Sequence, residues 1–567
     1  MVTARGRRWP RAAAVVLLVL AVAGAAVAVL RFVGDTASSR AGPTPIVTAH
    51  AFVGAWQKND MATMYRLVSR PVRRHVSFQQ FASAYAADAK TSSLRRVLQD
   101  GRMRVAGSAV TVPMIAATSA FGHVSQTTRL PMVDTPRGYR IAWNPSLAFP
   151  GLQRGEQLKA KSHPPTTRGD IKASNGTILA EGPPDDRVYP QGASFSLITG
   201  YLKPPDAEQV AAREAAGWPA ARPYGQGGLE ESLDRILAGA PRINLVAVSP
   251  AGKRVLAVNP GRAPHGVTTT LDVSLQKASA TALGSRYGGV VVLNPHTGAV
   301  EADAGLGMDT LQPPGSSFKT ITASAALEDG KATLSSTYPY ARFVVLDGWH
   351  LRNFHHEDCG GSLVLAFAVS CNSVFAPLAD QVGAENLVAT ANRFGFNQKP
   401  SIAYPVPTSV TPKAEAMDSD LSLGVAGIGQ GGVDASPLQM AAVAQTIGSL
   451  GVQRPPFIVH TPSRHVDRPQ ERRVIPASVA EDVRSMMEAV VTEGTGRSAA
   501  IPGVTVAGKT GTSEVGPANV PTDAWFIAFA PVGAPKVAVA VLVVKGGVGG
   551  DVAAPIARQV LEAALQQ

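Results

Sequence analysis

Ser316 and Lys319 stand three residues apart in Pro313-Pro314-Gly315-Ser316-Ser317-Phe318-Lys319, where Phe318, Ile321 and Ala325 begin one helical stripe and Gly330 makes a C-cap. Residues three apart on a helix face the same way, so the lysine amine can reach the serine hydroxyl. The unpaired N–H groups of the first turn and the positive end of the helix dipole favour negative charge beside the serine. This is a nucleophile with its own base, suited to acyl transfer. A solvated lysine keeps its proton up to about pH 10.4, so Lys319 must be desolvated or lie beside a second cation. Ser-x-x-Lys alone occurs by chance on many surface helices, so the rest of the chain decides.

Two more strings bear on it. Ser370-Cys371-Asn372 breaks a helical stretch, between Leu363 to Val369 and Phe375 to Ala379. Lys509-Thr510-Gly511-Thr512 follows a strand expected at Val504 to Val506. In this order the three strings resemble the signature of penicillin-binding proteins and β-lactamases. The resemblance implies that Ser370 relays a proton toward the leaving amine and that Asn372 holds Lys319 and a substrate carbonyl. Lys509 is then the second cation, Thr510 and Thr512 offer hydroxyls to a substrate carboxylate, and Gly511 lets substrate approach the backbone. Backbone N–H groups of Ser316 and Thr512 converge as an oxyanion hole.

The elements that must position these residues follow from periodicity. Ser274 to Leu283 reads as a helix, Gly289 to Leu293 as a strand turning through Asn294-Pro-His-Thr-Gly298 into a second strand ending near Ala304. Ala524 to Ala530 and Val537 to Val544 read as strands and Ala553 to Leu565 as a terminal amphipathic helix. Strands at both ends with helices between predict an antiparallel sheet with helices on both faces and a helical subdomain, the fold of the serine D,D-peptidases and β-lactamases. Gly429-Gln-Gly431, Ser436-Pro-Leu-Gln-Met-Ala441, Asp523 to Pro531 and Ala554-Pro-Ile-Ala557 also resemble family strings.

Upstream, Ile46 to Tyr65 and Phe78 to Ala87 have helical spacing, while Val110 to Ala116, Thr127 to Val133 and Tyr139 to Trp143 are short and β-rich. The string Arg140 to Leu152 resembles the end of the cone-shaped N-terminal domain of methicillin-resistance-type proteins. Thr167-Arg-Gly-Asp-Ile171, Asn175 to Ala180 and Gly227-Gly-Leu-Glu-Glu-Ser232 resemble the elongated β-rich pedestal of class B members. Ala173-Ser174 stands where that family has Asp-Arg. The α+β multidomain chain is accordingly divided into a cone-like domain (46–155), a pedestal of dimerisation type (156–270) and a transpeptidase domain (271–567).

Ala12 to Leu30 is an uncharged apolar run long enough to span a bilayer, with Arg5, Arg7, Arg8 and Arg11 before it. The positive-inside rule puts residues 1–11 in the cytoplasm and everything after Leu30 outside, beyond a linker at 31–45. A cleaved secretory signal is the alternative. The formal charge of +12 suits an anionic partner, but Lys and Arg are dispersed along the sequence and give no reason to expect nucleic acid. Cys359 and Cys371 leave two readings open, one bridge or two unpaired thiols. His350, His355 and His356 match no zinc spacing and read as a polar loop.

The resemblance implies a membrane-anchored serine D,D-transpeptidase that cross-links peptidoglycan stem peptides, is acylated by β-lactams, needs no cofactor or metal, and works with a membrane glycosyltransferase. Alternatives are a D,D-carboxypeptidase, a β-lactamase, or a weakly catalytic β-lactam-binding scaffold or sensor. A β-lactamase would need a water-activating glutamate, for which Glu385 is the nearest and an unconvincing choice.

Overall fold

In a computed structural model that describes residues 42–460, 470–514 and 521–566, four helices come first, three of them started by caps legible in the sequence. Thr44 caps Pro45–Gln57, Asp60 caps Met61–Arg66, and Ser77 with Gln80 forms a capping box on Phe78–Ser92. The fourth, Arg70–His75, is too short and too charged to show a stripe, and the periodicity does not predict it. The expected membrane run at Ala12 to Leu30 lies outside the described residues. No helix among the described residues is long and apolar enough to cross a membrane.

The described residues divide into two compact units, residues 42–160 with 245–257, and the described residues of 161–244 with 258–566. In the first, the helices cover an antiparallel sheet ordered Leu94–Gln99, Ala109–Thr118, Gly122–Val133, Arg140–Ile141, with Arg104–Ala106 also paired to Ala109–Thr118. Its core is aromatic. Phe81 lies 5.0 Å from both Tyr85 and Trp143, Trp56 meets Tyr85 edge-on at 5.2 Å, and the Trp143 indole N–H donates to the Tyr85 hydroxyl at 3.2 Å. Residues 42–160 and 245–257 hold 17 Lys and Arg against 5 Asp and Glu, an excess as large as that of the entire chain. The excess lies mainly in the continuous stretch 42–160, to which 245–257 adds only Lys253 and Arg254.

The second unit is built on a five-stranded antiparallel sheet ordered Val300–Gly305, Gly288–Leu293, Val537–Val543, Asp523–Ala530, Ala507–Ser513. Alternate side chains of one strand enter opposite cores. Val290 and Val292 pack with Leu275, Ile556 and Val560 from Val273–Leu283 and Gly549–Leu565, while Val291 and Leu293 join the cluster that holds Phe318, Met440 and Trp525. Both faces being covered explains the near-continuous apolar runs. The predicted strand at Val504 to Val506 is displaced: Ile501 and Val504 only bridge a turn, and the strand is Ala507–Ser513. Pairing with Asp523–Ala530 makes a strand of glycines and polar residues that β-propensity does not favour.

Arg168 lies between Glu230 at 2.6 Å and Asp234 at 2.7 Å, and Glu230 also takes Arg187 at 2.8 Å. The Arg168 and Glu230 side chains are fully buried. This network ties the Thr167 to Ile171 string to the Gly227 to Ser232 string.

Candidate active site

Ser316 lies on a single 3₁₀ turn, Gly315–Phe318, that runs directly into the helix Lys319–Glu328. The turn is gripped from two sides. Gly315 (φ +51°) donates its N–H to the Gly429 carbonyl at 2.9 Å, and a Cβ on Gly429 would lie 2.1 Å from the Gly315 oxygen. Opposite, a Cβ on Gly511 would lie 2.5 Å from the Pro314 oxygen and 2.8 Å from the Trp525 Cβ, while the Ser513 hydroxyl donates to the Pro313 carbonyl at 2.7 Å. The space left by the missing Gly511 side chain is thus filled by the turn that carries Ser316 and by Trp525.

Lys319 is fully buried, and its amine is not bonded to Ser316. It donates to the Ser370 carbonyl and to Asn372 Oδ1, each at 2.7 Å, and lies 3.4 Å from Ser370 Oγ. Two short acceptors use the two N–H groups of a neutral amine and leave a lone pair. Lys509, also fully buried, donates to Ser370 Oγ at 2.9 Å and to the Thr510 carbonyl at 2.9 Å. Neither lysine forms an ion pair with a carboxylate among the described residues. Burial, and next the charge of Lys509, hold the Lys319 amine well below the usual lysine range. Burial brings Lys509 down to about 7.

Ser370 has φ +63°, a left-handed backbone that a serine adopts only under constraint. One constraint is covalent: Cys371 is bonded to Cys359, with a Cα separation of 5.8 Å, so the bridge left open by the sequence exists at the centre of the second motif. The Ser373 N–H donates to Asn353 Oδ1 at 2.8 Å, and the Asn372 amide donates to the Arg352 carbonyl at 2.9 Å. Asn353 and Arg352 belong to a stretch that the sequence reading treated only as loop. His350 stacks on Phe343 and His355 packs on Phe354, and no group of His, Cys, Asp or Glu among the described residues could hold a metal ion.

The Thr510 hydroxyl shares a 2.6 Å hydrogen bond with that of Thr495 and is nearly buried, while Thr512 Oγ1 accepts from the Gly549 N–H at 3.3 Å. Thr495 was not anticipated. Its N–H donates to the Ala368 carbonyl at 3.1 Å, joining the end of one motif helix to the Lys509 strand. Ala507–Ser513 is an edge strand, and the Thr512 carbonyl faces Gly315. In a strand, the N–H and C=O of one residue point the same way, so the Thr512 N–H also faces the nucleophile turn.

The arrangement can be compared with known proteins. Residues 288–562 match the penicillin-binding protein transpeptidase domain, 182–266 the penicillin-binding protein dimerisation domain, and 44–156 the NTF2-like N-terminal transpeptidase domain. The peptidoglycan D,D-transpeptidase PbpA of Mycolicibacterium smegmatis is 33% identical, over 70% of this chain and 89% of its own length. The PbpA of Mycobacterium tuberculosis gives the same identity and coverage. The crystal structure of PBPA from Mycobacterium tuberculosis is 28% identical with a TM-score of 0.57, covering 72% of this chain and 100% of that one. Its ceftriaxone acyl-enzyme complex is 29% identical with a TM-score of 0.57, covering 72% and 99%. PBP2 of Pseudomonas aeruginosa, solved with WCK 5153, is 25% identical with a TM-score of 0.62, covering 72% and 97%. With its three motifs assembled around one buried pair of lysines and its relatives matched over most of their length, the chain belongs to the penicillin-binding protein transpeptidases.

Proposed function

We propose that this chain is a peptidoglycan D,D-transpeptidase that works through an acyl-enzyme on Ser316. The Ser316 oxygen attacks the carbonyl of the penultimate D-Ala of a stem peptide ending in D-Ala-D-Ala, and its proton passes to the Lys319 amine. The N–H groups of Ser316 and Thr512 take the oxyanion. As the C–N bond breaks, Ser370 hands its proton to the departing D-Ala amine and takes the one held by Lys319; an amine of a neighbouring stem then attacks the Ser316 ester, and its proton returns through Lys319 to Ser316 Oγ as the ester bond breaks. Lys509 and the hydroxyls of Thr510 and Thr512 serve the substrate carboxylate, and a β-lactam follows the same path with its leaving group still tethered.

The observation that carries this reading is the Lys319 amine: fully buried, without a carboxylate, and beside Lys509. That environment suits a neutral base three residues from a partly exposed serine. The relatives' names support the substrate class. An anchor at Ala12 to Leu30, an extracytoplasmic site, modules at 46–155, 156–270 and 271–567, and a membrane glycosyltransferase as partner complete the proposal.

The test is intact mass after incubation with a fluorescent penicillin, wild type beside Ser316→Ala. A stable one-to-one adduct on wild type alone is expected. Rapid drug hydrolysis would favour a β-lactamase, and no adduct at any concentration would sink the acyl-enzyme assignment.

A further inference from the structure

Six of the 17 basic residues of the first unit gather around one point of the fold. Residues 61–75 hold Arg66, Arg70, Arg73 and Arg74 and no carboxylate, and residues 133–141 add Arg137 and Arg140 against Asp134 alone. The two segments lie side by side: Ser69 N–H donates to the Ile141 carbonyl at 2.9 Å and Ile141 N–H to the Leu67 carbonyl at 3.0 Å. The start of the described chain lies against the second, with Tyr139 N–H on the Pro43 carbonyl at 3.2 Å and Gly42 packed on Gly138. Arg66, Arg70, Arg74 and Arg137 are exposed, and the carboxylate nearest to Arg66 in the chain is Asp60, the N-cap of its helix. Val47, 54% exposed, stands in the first turn of the helix that follows.

The point where these arginines gather is where the chain leads back to its expected anchor. Eleven residues separate Leu30 from Gly42, a tether of no more than about 40 Å even when fully extended. We infer that this arginine-rich face of the first unit docks on the outer surface of the membrane, its partner being a bilayer with anionic lipid headgroups. Charge complementarity supplies the attraction, which acts only within about 8 Å at physiological salt and therefore needs the short tether. Docking would hold this unit at a fixed height above the bilayer. The inference rests on the proposed anchor and is independent of the Ser316 chemistry.

The test uses the full chain in lipid nanodiscs of phosphatidylcholine alone and of phosphatidylcholine mixed with phosphatidylglycerol, reading hydrogen–deuterium exchange of segments 66–74 and 137–141. Several-fold slower exchange is expected in the anionic discs only, and it should vanish in high salt. It should vanish as well in the triple variant Arg70→Glu, Arg74→Glu, Arg137→Glu. That variant should keep wild-type exchange in Phe78–Ser92 and wild-type penicillin labelling, showing that both units are folded. Equal exchange in both discs would overturn the inference, as would protection that appears only on adding soluble anionic wall polymer. A chain that labels with penicillin but fails to enter discs would overturn the anchor and the inference with it, leaving the Ser316 reading intact.

Discussion

Lys319 and Lys509 converge on one hydroxyl: Ser370 Oγ lies 3.4 Å from the first amine and 2.9 Å from the second. Two buried lysines cannot both hold protons cheaply around one small side chain. The arrangement favours one charged and one neutral amine, joined through a hydroxyl that can donate to either.

The pH dependence of acylation follows. Lys319, held well below the usual lysine range, must be neutral to accept the Ser316 proton, so the rate falls on the acidic side as it protonates. Lys509 loses its charge above about 7, so binding of the substrate carboxylate weakens on the alkaline side. Lys509→Arg keeps a permanent cation and should remove the alkaline limb while the acidic limb stays. Second-order acylation by penicillin across pH measures both limbs, and an unchanged alkaline limb in the variant would assign it to another group. The stability effect has its own sign. Both lysines are depressed when folded, so the unfolded chain binds more protons, stability rises with pH toward about 10, and it is lost on acidification through the folded values.

Gly511→Ala should slow acylation by about 100-fold, the usual result of misplacing a reacting group by an ångström. The new Cβ would press on the Pro314 oxygen at 2.5 Å and displace the turn that carries Ser316. Gly533→Ala, where a Cβ meets nothing within 4 Å, is the control and should label like wild type.

Glu230→Ala should destabilise the second unit by about 3–5 kcal/mol, because it leaves Arg168 and Arg187 buried without their shared carboxylate. A shift in the denaturation midpoint reads this directly. Loss of less than about 1 kcal/mol would mean that Asp234 alone satisfies Arg168.

Cys359→Ser should cost about 3 kcal/mol through the freed loop, and it should also slow acylation by relaxing Ser370 from φ +63°. A thermal melt gives the first effect and penicillin labelling the second. A melt shift with unchanged labelling would confine the bridge to a scaffold role.

The three motif strings were legible in the sequence because each is short and its residues act together. What holds them was not. Periodicity finds Lys319–Glu328 but cannot show that Gly429 and Gly511 press on the Ser316 turn, since both contacts join distant parts of the chain. Thr495, Asn353 and Arg352 escaped for the same reason, as they act through hydrogen bonds to a motif residue or its neighbour. The strand Ala507–Ser513 was misplaced toward Val504 because its glycines and polar side chains are strand-like only when paired. The arginine cluster was hidden because the fold, and no run in the sequence, brings residues 66–74 beside 137–141.

The sheet order governs how the molecule comes into being. Gly288–Leu293 pairs on one side with Val537–Val543, and Ser513 grips Pro313 from 200 residues further along the chain. A polypeptide emerging N-terminus first can pair this strand at once with Val300–Gly305 but must carry its other edge unpaired until nearly the last helix is delivered, an interval in which aggregation competes with folding. On the proposed mechanism the serine waits likewise for Lys509, so a chain cut short before Lys509 should be an inert product and no partial transpeptidase.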